Sequence, residues 1–337
     1  PRTMLFRTAL LITAMVGWAC AFAGPREACD YSARMAGVTC VVLIDGRIVH
    51  EQYRQPGDQA QRWRLASGTK SFSGVAAAAA VQDGLFKLDD RVSDTLTEWR
   101  LDDRRDITIR QLLNLTSGID TPAPGLGGRS SPPASVSRKL AHPPGTRFAY
   151  GQAPFQMFAE LMARKLKGPS HEAWLRSRVL DPLGITLEFR SLTPVRSGEA
   201  DWGGGGAMTA RDWAVFGEFV RRGGQWNAVQ LVDKAALAEN FIGSAVHPGY
   251  GLTWWLKPPA GARVPLEGTT ADATDFFRGQ ADALPADRIW MAAGAGKQRL
   301  IIVPERNLVA VRQTSRVLLG ERSAFSDIEF LRLLLDR

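Results

Sequence analysis

Between Leu65 and Gln82 the chain is small and apolar on nearly every side, most densely from Gly74 to Val81. That pattern predicts a buried helix that stops at Asp83-Gly84. Upstream, residues 38–54 (VTCVVLIDGRIVHEQYR) form two strand-like runs joined at Asp45-Gly46, a strong hairpin signal. Residues 62–67 (RWRLAS) read as a short extended lead into the helix. From Leu85 to about Ala245 helical periodicity and long loops dominate: segments 108–119, 153–168 and 170–185, then 208–224, where Thr209 or Asp212 can cap a helix ending near Gly223. Beyond Tyr250 strand-like runs return at 250–256, 287–294, 298–305 and 307–313, and an amphipathic helix is expected at about 323–335. Strands at both ends around a helical middle give an α+β class, with the sheet part at about 35–66 and 250–337 and the helical part at about 85–245. The N-terminal hairpin and the C-terminal strands are expected to share one antiparallel sheet flanked by helices.

Residues 4–23 (MLFRTALLITAMVGWACAFA) change the picture at the N-terminus. Arg7, an apolar stretch from Ala9 to Ala19 and Ala21-Phe22-Ala23 match the three regions of a secretory signal peptide. The apolar run is short for a transmembrane helix. The expectation is therefore a leader over residues 1–23, a folded domain over 24–337, a periplasmic or secreted location, and no membrane span once the leader is removed. Two of the three cysteines, Cys29 and Cys40, then remain, and in an exported chain they suggest one disulfide, with two free thiols as the alternative. Two cysteines and four scattered histidines (His50, His142, His171, His247) make no metal site at these spacings, and no cofactor is implied. The formal charge of +8 is carried by dispersed arginines without interleaved aromatics, which argues against nucleic acid as a partner.

The candidate chemistry sits at the start of the buried helix. Ser67 can cap a helix, but Lys70 three residues on has the wrong charge for the positive end of the helix dipole. Residues i and i+3 share a helix face, so the serine hydroxyl and the lysine amine can meet. A serine needs a base to become a nucleophile, and a lysine buried among small apolar side chains loses basicity and can serve as one. The S-x-x-K spacing is thus a compact nucleophile–base pair. A Ser-His-Asp arrangement lacks its G-x-S-x-G elbow here, and Gly203–Gly206 lacks the Lys-Ser/Thr ending of a phosphate loop and reads as a flexible loop near the pocket. Trp254, Trp255 and Trp290 read as core or pocket wall.

Residues 64–96 (RLASGTKSFSGVAAAAAVQDGLFKLDDRVSDTL), 107–119 (ITIRQLLNLTSGI) and 143–162 (PPGTRFAYGQAPFQMFAELM) resemble, in that order, the serine β-lactamase and penicillin-binding protein superfamily. The resemblance spans roughly residues 35–335. Within the superfamily the chain looks most similar to the class C branch, with its related esterases and 6-aminohexanoate-dimer hydrolases. It implies a β-lactamase/transpeptidase-like fold, an acylated nucleophile at Ser67 and a proton carrier at Lys70. The family's second motif, Tyr-x-Asn or Tyr-x-Ser, implies Tyr150 as a further proton-handling group, with Gln152 where Asn or Ser is usual; an aromatic packed under a Pro-Gly turn is the structural alternative for Tyr150.

The third motif, Lys-Thr-Gly or His-x-Gly on the strand facing the nucleophile, falls on Ala292-Ala293-Gly294. Gly294 permits close backbone approach, and the N–H groups of Ala295 and Ser67 would form the oxyanion hole. The cation and hydroxyl that hold a substrate carboxylate in the family are missing, with Lys297 or Arg299 as possible replacements. These residues imply an ester or amide hydrolase acting through an acyl-enzyme on small molecules. The alternatives are a β-lactamase or D-Ala-D-Ala carboxypeptidase, and a non-catalytic binder of peptidoglycan fragments or of a protein.

Overall fold

The computed structural model describes residues 23–121, 130–190, 199–265, 281–316 and 323–336. The expected leader lies outside the described residues except for Ala23, where the first helix begins. Among the described residues no helix is long and apolar enough to cross a membrane.

Strands β1 (Thr39–Ile44) and β2 (Arg47–Tyr53) form the expected hairpin. Asp45 and Gly46 both take positive φ, 52° and 77°, the backbone that a two-residue turn between right-twisted strands requires. The C-terminal strands are β3 (Trp255–Leu256), β4 (Trp290–Gly294), β5 (Gln298–Val303) and β6 (Leu308–Gln313). One antiparallel six-stranded sheet runs in the order β2-β1-β6-β5-β4-β3, so the two ends of the chain do share a sheet. Strands β5 and β6 are buried along their whole length, including Gln298, Arg299, Arg312 and Gln313 at their shared end, because both faces of the sheet are covered.

Register assigns the faces. Arg299 lies opposite Arg312, and Arg312 opposite Cys40, so these three side chains share one face. That face is covered by α1 (Ala23–Arg34), through the bond from Cys29 to Cys40, and by the C-terminal helix Asp327–Leu335. On the opposite face α4 (Ala210–Arg221), capped by Thr209, approaches so closely that a Cβ at Gly217 would lie 2.6 Å from Leu300 and 2.7 Å from Val309. Two further helices complete the labelled set before it: α2 (Ser71–Gln82), apolar all round and buried, and α3 (Ala153–Leu166). The C-terminal helix is α5.

Two expectations need correction, and one element was not foreseen. Residues 62–67 do not join the main sheet: Trp63–Arg64 pairs with Gly206–Met208, which also pairs with Glu188–Phe189, in a separate three-stranded sheet. The strand expected over 250–256 shrinks to two residues because Thr253 sits at φ 74°, which interrupts the extended backbone. Helix α1 was not expected. Its buried stripe of Ala28, Cys29 and Ser32 is too short to stand out beside the apolar leader.

Candidate active site

The candidate site lies where the main sheet meets the helical part, and it starts with the turn that carries Ser67. Residues Ala66–Lys70 form a 3-10 turn rather than the first turn of the α-helix, which begins at Ser71. Ala66 is held at φ 48°, a left-handed backbone that costs an alanine about 1–2 kcal/mol. Side chains fix this strained turn. Thr69 Oγ1 donates to the Ala66 carbonyl at 2.7 Å and accepts from the Gly206 N–H at 2.9 Å, and Ser71 Oγ donates to the Gly68 carbonyl at 2.8 Å. Trp213 fills the space beside Gly68, where a Cβ would sit 2.8 Å from its ring.

Neither Leu65 nor Lys70, the residues preceding the two helical segments, makes a side-chain cap, and Ser67 is not spent as one. Lys70 Nζ instead donates to Ser67 Oγ at 3.0 Å. The ammonium is buried, donates also to the Gly203 carbonyl, and stands 4.9 Å from the Tyr150 ring centroid and 5.3 Å from that of Phe155. The charge mismatch seen in the sequence has this explanation: a carbonyl, a hydroxyl and two aromatic faces hold the cation.

Tyr150 stacks on Trp255, with centroids 5.2 Å and planes 23° apart, and meets Tyr250 edge-on at 6.1 Å. Burial, with Tyr150 close by, pushes the Tyr250 phenol well above its ordinary pKa, so Tyr250 remains protonated in this cluster. Gln152, just before α3, lies against Gly203 and Gly204; a Cβ at Gly203 would sit 2.6 Å from Gln152 Cβ. Its Oε1 is buried without a hydrogen-bond partner.

The edge of β4 closes the site from the sheet side. A Cβ at Gly294 would sit 2.0 Å from the Leu65 carbonyl, so only glycine admits this approach to the turn leading into Ser67. Ala295 follows directly. Ser67, Lys70, Tyr150, Gln152 and Gly294 are thus brought together around one place.

Lys297 is not part of it, contrary to the expectation that it binds substrate. Its ammonium is buried and pairs with Asp327 Oδ2 at 3.1 Å, and Arg299 pairs with the same carboxylate through Nε at 2.6 Å and Nη2 at 3.0 Å. Residues two apart along a strand share a face, and both cations reach Asp327. Burial raises the Asp327 carboxyl pKa, but Arg299 and Lys297 outweigh it and leave the group below the ordinary carboxylate range. The sequence reading missed Gly203 as a partner of Lys70 and Trp255 as the platform for Tyr150. The glycine run next to a predicted pocket was the only available signal for the first.

Cys29 and Cys40 are disulfide-bonded, with Cα atoms 5.5 Å apart. Among the described residues no group of His, Cys, Asp and Glu is arranged to hold a metal ion.

Comparison with known proteins adds the family context. Lovastatin esterase from Penicillium rubens is 28% identical over 248 residues, which is 57% of this chain and 62% of the esterase. The chain thus spans less than two thirds of that relative. A putative 6-aminohexanoate-dimer hydrolase from Bacillus anthracis superposes with a TM-score of 0.65 at 16% identity, over 86% of this chain and 76% of that one. A putative beta-lactamase from Bacteroides dorei gives 0.67 at 19% identity, over 86% and 89%. At such identities the structural likeness establishes the fold. The family described as Beta-lactamase matches residues 20–328, a span that includes the Ser67 turn, Tyr150 and the β4 edge, and the chain belongs to that family.

Proposed function

We propose that this chain is an exported serine hydrolase that cleaves small esters or amides through an acyl-enzyme at Ser67. The observation that carries the reading is the 3.0 Å contact between buried Lys70 Nζ and Ser67 Oγ in a turn that leaves the serine uncapped. In this reading the reactive form of the Lys70–Tyr150 pair carries one proton fewer than an ammonium plus a phenol, and Ser67 Oγ attacks the acyl carbon while its proton fills that place. The N–H groups of Ser67 and Ala295 hold the oxyanion. Collapse expels the alcohol or amine, which takes the proton back, and a water activated by the same pair releases the acid.

The chemistry of the β4 edge favours neutral acyl groups. Ala292 and Ala293 offer neither a cation nor a hydroxyl, and Lys297 and Arg299 are committed to Asp327. Export is part of the proposal, supported by the apolar leader and by the Cys29–Cys40 bond, which persists in oxidising compartments. The test is labelling with a fluorophosphonate followed by peptide mapping. The reading expects the label on Ser67 and none on the Ser67→Ala chain; a label on Ser71 or Ser117 overturns it.

A further inference from the structure

The turn between β4 and β5 is fastened from beneath by two buried arginines. Arg299 Nη1 donates to the carbonyls of Gly294 at 3.0 Å and of Gln298 at 2.9 Å, and Arg312 Nη1 donates to the Lys297 carbonyl at 2.6 Å. Arg299 is itself clamped by both oxygens of Asp327, the first residue of α5, with neither side chain exposed. A bidentate pair of this kind fixes the plane and position of the guanidinium.

We infer that Arg299 is a positioning residue that aims the Ala295 N–H at the acyl oxygen by holding the Gly294 carbonyl away from it. The inference rests on the hydrolase reading proposed above and deepens it. The Gly294 C=O and the Ala295 N–H belong to one peptide unit, which is planar and trans, so the two bonds point in opposite directions. Drawing the carbonyl toward Arg299 and α5 therefore turns the N–H away from them. Gly294 lies in contact with the Leu65–Ala66 backbone that leads into Ser67. The amide is thereby oriented by a side chain that never meets the substrate. Asp327 acts through Arg299, which makes the C-terminal helix part of the oxyanion geometry.

The test is Arg299→Lys in the full chain, which keeps a cation for Asp327 but cannot reproduce the rigid fork to both Asp327 and the Gly294 carbonyl. Rates are normalised to the sites titrated by a fluorophosphonate, so unfolded protein does not count. For a neutral aryl ester, kcat is expected to fall ~10- to 100-fold, with KM changed less than about threefold, since oxyanion contacts act in the transition state. The infrared carbonyl band of the acyl-enzyme, recorded immediately after mixing with the ester, should move to higher wavenumber and broaden. Asp327→Asn, which loosens the clamp without removing the guanidinium, should shift the band in the same direction by less, and it replaces Arg299→Lys if that chain does not fold. An unmoved band in a folded variant overturns the inference, whether or not kcat falls. A wild-type chain that is not acylated at Ser67 instead overturns the hydrolase reading itself, and this role with it.

Discussion

Lys297 Nζ lies 3.1 Å from Asp327 Oδ2, with 3% of one side chain and none of the other exposed to solvent. A cation so enclosed stabilises the fold and does not recruit substrate. Removing one partner of a buried pair is costly, but Asp327 keeps Arg299, so Lys297→Met should destabilise by about 1–3 kcal/mol. It should leave the ratio of kcat/KM for neutral and carboxylate-bearing esters unchanged. Chemical denaturation and paired-substrate kinetics check the two halves of this expectation.

The same commitment predicts the substrate preference. Neutral acyl esters should be favoured over matched carboxylate-bearing ones by ~10- to 100-fold in kcat/KM, the worth of one charge-assisted hydrogen bond. Restoring the family's residues with Ala292→Lys and Ala293→Thr should narrow that gap. Penicillins turned over as fast as simple esters by the unaltered chain would show that another group anchors the carboxylate.

Tyr150 has two separable parts, the ring that stacks on Trp255 and faces Lys70, and the hydroxyl. Tyr150→Phe retains the first and deletes the second. Thermal stability should therefore hold, while turnover falls by roughly 100-fold or more through loss of proton transfer. A wild-type rate would leave Tyr150 a packing residue that holds the Lys70 ammonium.

What was legible in the sequence follows from how local each feature is. The Ser67–Lys70 contact spans three residues and is set by one turn of backbone, so the spacing, read together with the apolar helix that follows it, points to it. The Asp45-Gly46 hairpin is likewise written in two residues whose backbone preferences match the turn. The Gly203 carbonyl that receives Lys70 is a backbone group, and every residue has one, so only the fold could select it. Lys297 and Arg299 looked available because nothing in a sequence separates a buried cation from an exposed one. Their partner, Asp327, lies on another element beyond β6.

Reduction should loosen the layer that carries α5. The Cys29–Cys40 bond ties α1 to β1, α1 packs along α5, and Ser32 of α1 accepts from Arg312 Nε at 3.1 Å. Cys29→Ala with Cys40→Ala should cost about 2–4 kcal/mol of stability. Wild-type melting should fall toward that of the double variant when a strong reductant is added, and the variant itself should not respond. A wild-type chain whose stability ignores the reductant would show that the bond contributes nothing to the fold.

Acid sensitivity should begin well above the carboxylate range, because two histidines are buried uncharged. His171 lies edge-on against Trp202, centroids 4.1 Å apart, with neither ring nitrogen hydrogen-bonded, and burial lowers its pKa to about 3. Burial likewise lowers that of His247, to about 4. In the unfolded chain both take up a proton near pH ~6.5. Between that pH and the folded values the unfolded state binds more protons, so stability is complete above ~6.5 and is lost as the pH falls. The loss approaches ~1.4 kcal/mol per pH unit per histidine. Asp327, whose pKa is lowered in the fold, acts in the same direction but only below the ordinary carboxylate range, whereas burial raises the Glu172 and Asp212 carboxyls, which act in the opposite direction. A single-histidine variant compared with the wild type from pH 7.5 to 5 is therefore what separates the histidine contribution. His171→Phe keeps an aromatic ring in the Trp202 contact and removes one titrating group. Its denaturation midpoint should therefore fall less than that of the wild type over this interval, and equal falls would mean that His171 does not titrate between the folded and unfolded states.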